Sequence, residues 1–248
     1  MLHSILFSCL AGILGTLLGG IVCLLVKQKG RTVSFFLSVA AGFMLAIVCF
    51  DLVPESILFF EGKIVPALCS VAAGCVLVLL LELLTDEAQK KGLIRAQTSE
   101  MSQKEMVRMS VIMLLAIALH NLPEGLVIGS SEAADKGWVL ALLIGLHNIP
   151  EGMALAAPML AGGTKKINAI LFTGLAGVPT VIGAVVGYLI GSISTVFVAV
   201  SLGLAAGAML SVIFADMLLE AYKFTSGKAV GLCTLVSMLL GILLIYSV

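Results

Sequence analysis

Apolar residues run along this chain in long, nearly unbroken stretches, without the alternation of a half-buried strand or the narrow stripe of a helix with one wet face. A helix needs about 20 mostly apolar residues to cross a bilayer. Eight stretches meet that length, at about 4–26, 33–60, 64–85, 107–129, 138–160, 167–190, 194–221 and 229–246. They predict an all-α integral membrane protein of eight transmembrane helices, a single polytopic domain over 1–248. The one sizeable polar stretch, 86–106, predicts a loop and contains no histidine. The first apolar stretch lacks a basic flank and a convincing small-residue cleavage site, so it reads as a retained helix rather than a signal peptide.

Composition agrees with this class. The chain is 60% hydrophobic and only 11% charged, where a soluble domain has about a quarter of its residues charged. Mean hydropathy is +1.20. Its solvent must be largely the lipid bilayer. Formal net charge is zero, so no basic face argues for nucleic acid. The six cysteines fall in apolar stretches without a CxxC and read as small buried hydrophobes.

The basic residues orient the chain. Lys27, Lys29 and Arg31 follow the first stretch; Lys90, Lys91, Arg95, Lys104 and Arg108 lie around the long loop; Lys165, Lys166, Lys223 and Lys228 lie in two later connections. That places twelve of the fourteen Lys and Arg on one side, leaving Lys63 and Lys136 on the other. The positive-inside rule then puts both termini outside and the 86–106 loop in the cytoplasm of a multi-pass cell-membrane protein.

Two segments resemble each other. AAGFMLAIVCFDLVPES at 40–56 and AAGAMLSVIFADMLLEA at 205–221 share seven of seventeen positions, including an aspartate and a glutamate. They belong to the second and seventh stretches, which cross in opposite directions. The predicted arrangement is therefore 3+2+3: three helices, a central pair, and three inverted helices, the pattern of many secondary transporters. Asp51 and Glu55 would face outside, and Asp216 and Glu220 the cytoplasm. Entrance and exit funnels for cations are one reading of these acids, and plain interfacial helix ends are the other.

The central pair carries the chemistry. His120-Asn121-Leu122-Pro123-Glu124-Gly125 recurs as His147-Asn148-Ile149-Pro150-Glu151-Gly152. Histidine and glutamate at i and i+4 project from one helical face. Two antiparallel copies would converge two imidazoles and two carboxylates, a reasonable shell for a borderline divalent ion. Asn121 and Asn148 would add neutral oxygens beside it. A charged side chain at the bilayer centre costs about 3 kcal/mol on insertion scales, which makes a duplicated cluster hard to explain as helix-to-helix glue. The ligand types suit Zn2+ first, and also Fe2+, Mn2+, Co2+ or Cd2+, and disfavour Cu(I). Two other functions compete: an intramembrane zinc-dependent enzyme, although the chain has no HExxH, and a proton-coupled carrier of an organic solute.

At these motifs the chain resembles the ZIP (Zrt/Irt-like) family of divalent metal transporters, especially compact bacterial members with HNxPEG in both central helices. The likeness covers nearly the whole chain. It implies transport of a divalent metal, most commonly zinc, into the cytoplasm, and no enzymatic activity. It also implies a homodimer and a midmembrane centre in which His120, Glu124, His147 and Glu151 hold the primary ion. Asn121 and Asn148 would contribute to a second site, with the glutamates as bridges. Many members place a glutamate before a proline in the sixth helix, where this chain reads Gly177-Val178-Pro179, so the second site should be weakened or absent. The family is thought to work by alternating access, with one bundle sliding on another. The glycines Gly12, Gly15, Gly19, Gly20, Gly183, Gly187, Gly203 and Gly207 would permit sliding contacts, or serve ordinary small-residue packing.

Overall fold

The computed structural model describes residues 2–27, 29–87, 103–131, 137–190 and 194–247. Among the described residues all regular structure is helical, in eight successive rods. These are α1 (2–24), α2 (Gly30–Phe59), α3 (Ile64–Glu87), α4 (Gln103–Ser131), α5 (Gly137–Ala161), α6 (Lys166–Ala176 and Val178–Ile190), α7 (Thr195–Phe224) and α8 (Gly227–Ser247). Five of them are long and apolar enough to cross a membrane by length and composition, namely α1, α2, α6, α7 and α8. Shorter apolar stretches, Ile64–Leu80 and Ser110–Leu126, lie in α3 and α4. The outward faces are apolar: Leu171, Leu189, Leu232 and Leu243 are each more than 60% exposed. A surface so consistently apolar is at home in lipid rather than water.

The rods overlap the eight apolar stretches, with shifted ends. α4 starts at Gln103, ahead of the expected 107, because Gln, Lys and Glu are good helix formers and continue the ladder past the apolar part. Of the polar stretch 86–106, residues 88–102 lie outside the described residues. α2 starts at Gly30 because Lys29 is extended, with φ −103° and ψ 160°. It turns into α3 through Glu61 (φ 57°) and Gly62 (φ 80°), and the left-handed backbone at the second of these is the reason for a glycine there.

Among the described residues, three rods contain a π-helical segment, which accommodates an extra residue within a helix. They are Cys9–Leu14 in α1, Val48–Leu52 in α2 and Val212–Met217 in α7. α2 and α7 divide alike: Gly30–Ile47, Val48–Leu52 and Val53–Phe59 in one, and Thr195–Ser211, Val212–Met217 and Leu218–Phe224 in the other. Asp51 and Asp216 each sit in the π segment of their rod.

Close packing pairs α1 with α5, α4 with α6, α2 with α8 and α3 with α7. Each pair runs parallel, with contacts advancing in the same direction along both rods. Gly15 meets Gly145 and Gly19 meets Ile149, while Gly125 meets Thr180 and Gly129 meets Ala184. α2 and α7 run antiparallel and are bonded at both ends. The Ser34 hydroxyl donates to the Ala221 carbonyl at 2.9 Å, and the Ser56 hydroxyl donates to the Ala199 carbonyl at 2.8 Å. The helices thus form two groups, α1 with α4, α5 and α6, and α2 with α3, α7 and α8.

The glycines named above lock helices within a group. A Cβ on Gly12, Gly15, Gly19 or Gly183 would run into backbone of α5, α6 or α4, and one on Gly207 into α3. Contacts this close leave no room for a larger side chain, as small-residue packing between helices requires. The cysteines also differ from expectation. Cys23 is buried, but Cys49 and Cys69 are exposed and the other three are intermediate, and among the described residues none is joined in a disulfide. An apolar stretch in a membrane protein presents one face to lipid, and a thiol tolerates that face as well as the core.

Candidate metal centre

The i, i+4 spacing in α4 and α5 puts histidine and glutamate on the faces where these helices meet. Pro123 and Pro150 stay inside continuous helices. His120, Asn121, Glu124, His147, Asn148 and Glu151 are all buried, and His120, Asn121, Asn148 and Glu151 are 0% exposed. His120 Nε2 lies 2.8 Å from Glu124 Oε1 and 3.4 Å from Glu151 Oε1. Across the helix interface, His147 Nε2 is 2.8 Å from the same Glu124 Oε1 and within hydrogen-bond geometry. The two imidazole rings are 6.2 Å apart between centroids.

A repeated motif therefore makes an unequal site. Glu124 sits between both imidazoles, whereas Glu151 only approaches His120. Ligand atoms of His120, Glu124 and His147 all lie within 4.8 Å of one another, and among the described residues they are the group whose chemistry could hold a metal ion. Several buried atoms here make no hydrogen bond: both ring nitrogens of His120, Glu124 Oε2 and both carboxylate oxygens of Glu151. Burying a carboxylate without a partner costs several kcal/mol, so the cluster has spare capacity for a cation.

The two asparagines sit beside this cluster with their amide nitrogens turned away. Asn121 Nδ2 donates to the Ala176 carbonyl at 2.7 Å, and Asn148 Nδ2 donates to the Ala11 carbonyl at 3.0 Å. Both acceptors lie where the regular α-helical ladder is interrupted, at the break in α6 and in the π segment of α1. Their Oδ1 atoms are buried without a partner. Sequence reasoning missed the acceptors. The signal was present, because Ala11-Gly12 and Thr16 reappear as Ala176-Gly177 and Thr180 with one residue fewer between them. The extra residue accompanies the π segment of α1.

The four remaining acids divide. Asp51 and Glu55 are half-buried and line a cavity of about 110 Å³ whose walls also include Glu124 and His147. The rest of that lining is apolar, with Phe43, Ile47, Ile144 and Leu202. Asp216 is half-buried in its π segment. Glu220 is 2% exposed and pairs through Oε2 with Lys223 Nζ at 3.0 Å. The structure thus brings Asp51 and Glu55 together with the central cluster around one cavity, while Glu220 is capped by a lysine of its own helix.

Fold and site define the class as a multi-pass, all-helical membrane protein with a duplicated histidine–carboxylate cluster in its interior. The ZIP Zinc transporter family model matches residues 85–248, and the chain belongs to that family. It is 32% identical over 212 residues to the zinc transporter ZupT of an Enterobacter species (strain 638), covering 84% of this chain and 82% of the relative. The zinc transporter ZupT of Escherichia fergusonii matches to the same extent. That of Shigella flexneri is 33% identical over 189 residues, 75% of this chain and 73% of its own.

Proposed function

We propose that this protein carries zinc across the cell membrane into the cytoplasm through the cluster between α4 and α5. Membership of a zinc transporter family supports the cargo. The observation that carries the route is the convergence of His120, Glu124 and His147 ligand atoms within 4.8 Å in a buried site where Glu124 Oε2 and both Glu151 oxygens make no hydrogen bond. Imidazole and carboxylate suit Zn2+, and they also admit Fe2+, Mn2+, Co2+ or Cd2+. His120, Glu124 and His147 would hold the ion, with Glu151 taking the side nearest His120. Asn121 and Asn148 position the helices and offer their free Oδ1 atoms nearby.

All eight rods cross the bilayer in this reading, in a 3+2+3 inverted repeat. The parallel pairs support it, because each joins two odd-numbered or two even-numbered rods, as strict alternation demands. Exchanging α1 with α6, α2 with α7, α3 with α8 and α4 with α5 turns α1–α5 packing into α6–α4 packing, and α2–α8 into α7–α3. The bonds obey the same exchange, since Ser34 and Ser56 of α2 match Ala199 and Ala221 of α7.

The cavity at Asp51 and Glu55 would be the external entrance, leading to Glu124 and His147. With this cavity reaching the cluster from the Asp51 and Glu55 side, the conformation is read as open to the outside. The cluster belongs to one helix group and Asp51 and Glu55 to the other, so relative movement of the groups would alternate access. Zinc titration of purified protein in detergent tests the site. One equivalent bound by the wild type and lost in Glu124→Ala is expected. Equal binding by both would remove the cluster from the route.

A further inference from the structure

Resting on the transport reading above, we propose that Lys223 is a tethered counter-cation that occupies Glu220 at the inner end of the route and is displaced by each departing divalent ion. Glu220 is buried on the last segment of α7, with Oε2 3.0 Å from Lys223 Nζ and Oε1 buried without a hydrogen-bond partner. The lysine side chain is 51% exposed, so its ammonium reaches a buried carboxylate from a stem that lies largely in solvent. The inverted repeat supplies its own comparison. Glu55 occupies the matching position in α2 and opens into the cavity beside Asp51. Three residues beyond Glu55 stands Leu58, 73% exposed, where α7 has Lys223. One scaffold therefore presents the same carboxylate twice, open at one end and capped by a cation at the other.

The difference matches what each end must do. An entrance carboxylate gains by attracting a cation. A buried exit carboxylate with a free oxygen would hold a divalent ion too long, and conduction requires binding weak enough to leave. A lysine one helical turn away competes at the high local concentration of a short tether. Its ammonium is strongly hydrated on a flexible stem, so it moves between carboxylate and water at small cost. The charges balance at each step: zinc arrives as the ammonium swings to water, and the ammonium returns as zinc leaves. The backbone around it is pinned, because Ser34 holds the Ala221 carbonyl and the Phe224 ring packs on Gly30 at the start of α2. The lysine can move while the helix stays.

The test is radioactive zinc uptake into proteoliposomes against rising unlabelled zinc on the Lys223 side. In Lys223→Met the zinc concentration that halves uptake should fall about fivefold, the worth of a partly exposed ion pair. Lys223→Arg should behave as wild type, and Glu220→Gln with Lys223→Met should lose the added sensitivity. Glu220→Gln alone should be less sensitive than wild type, which keeps the test usable if the methionine variant does not fold. Unchanged inhibition in Lys223→Met, or a double variant as sensitive as Lys223→Met, would overturn the proposal; so would wild-type inhibition in Glu220→Gln. A wild type that moves no zinc is a separate outcome, and it removes the transport reading itself.

Discussion

His147 Nε2 and Glu124 Oε1 meet at 2.8 Å across the interface of α4 and α5, and His120 Nε2 lies equally close to the same oxygen. One carboxylate thus ties both helices and both imidazoles together. Glu151, its twin in sequence, stands 3.4 Å from His120 and makes no hydrogen bond. Equal motifs give unequal roles because in this conformation one side of the cluster faces the cavity and the other faces the core.

That inequality predicts a ranking. Glu124→Gln should lower zinc uptake efficiency by about 100-fold and Glu151→Gln by about tenfold, the span seen when a ligand or its support is lost. Initial uptake rates over a range of zinc concentrations measure both. Equal losses would show the two carboxylates to be interchangeable.

Asn148→Ala and Asn121→Ala each leave a buried carbonyl, of Ala11 or Ala176, without its donor. The expected cost is about 1–3 kcal/mol per variant. Thermal unfolding in detergent should show a lower Tm without zinc in both. An unchanged Tm would mean that these bonds do not hold the interrupted helices.

Gly152→Ala would push a Cβ against the Thr16 carbonyl oxygen. Overpacking of this kind costs about 1–3 kcal/mol. At Gly231 a Cβ meets nothing within 4 Å. Gly231→Ala should be neutral or stabilise α8 by up to about 1 kcal/mol, from helix propensity. Comparing the two by the fraction of monodisperse protein after heating separates a packing role from a sliding one.

Uptake should fall as external pH is lowered from about 8 to 5, because the ligands of zinc also bind protons. The sign follows from the ligands: each imidazole must be neutral to bind metal, so protons compete with zinc at His120 and His147. Rates that stay flat over this range would count against imidazole ligation.

The eight rods were legible in the sequence because each contains a long apolar stretch, and five of them are long and apolar enough to cross a membrane. The cluster was legible because histidine and glutamate four apart can only share a face. Helix pairing was less so: the glycines that let α1 approach α5 look like any small residues until their partners are known. The π segments were hidden because an extra residue in an apolar helix changes no pattern, except against the repeat at Ala176-Gly177. The sequence suggests only oxygen ligands at the asparagines, because the interrupted ladders that engage their nitrogens, at Ala11 and Ala176, leave no mark in the motif. In the sequence Lys223 is only a topology marker, because its pairing with Glu220 depends on how α7 is buried.

Radioactive zinc uptake into proteoliposomes by the wild type, His147→Ala and Glu124→Ala tests the α4–α5 route directly. Saturable uptake by the wild type and near-background uptake by both variants are expected, with all three proteins folded and monodisperse. Wild-type rates in either variant would show that zinc crosses without the α4–α5 cluster.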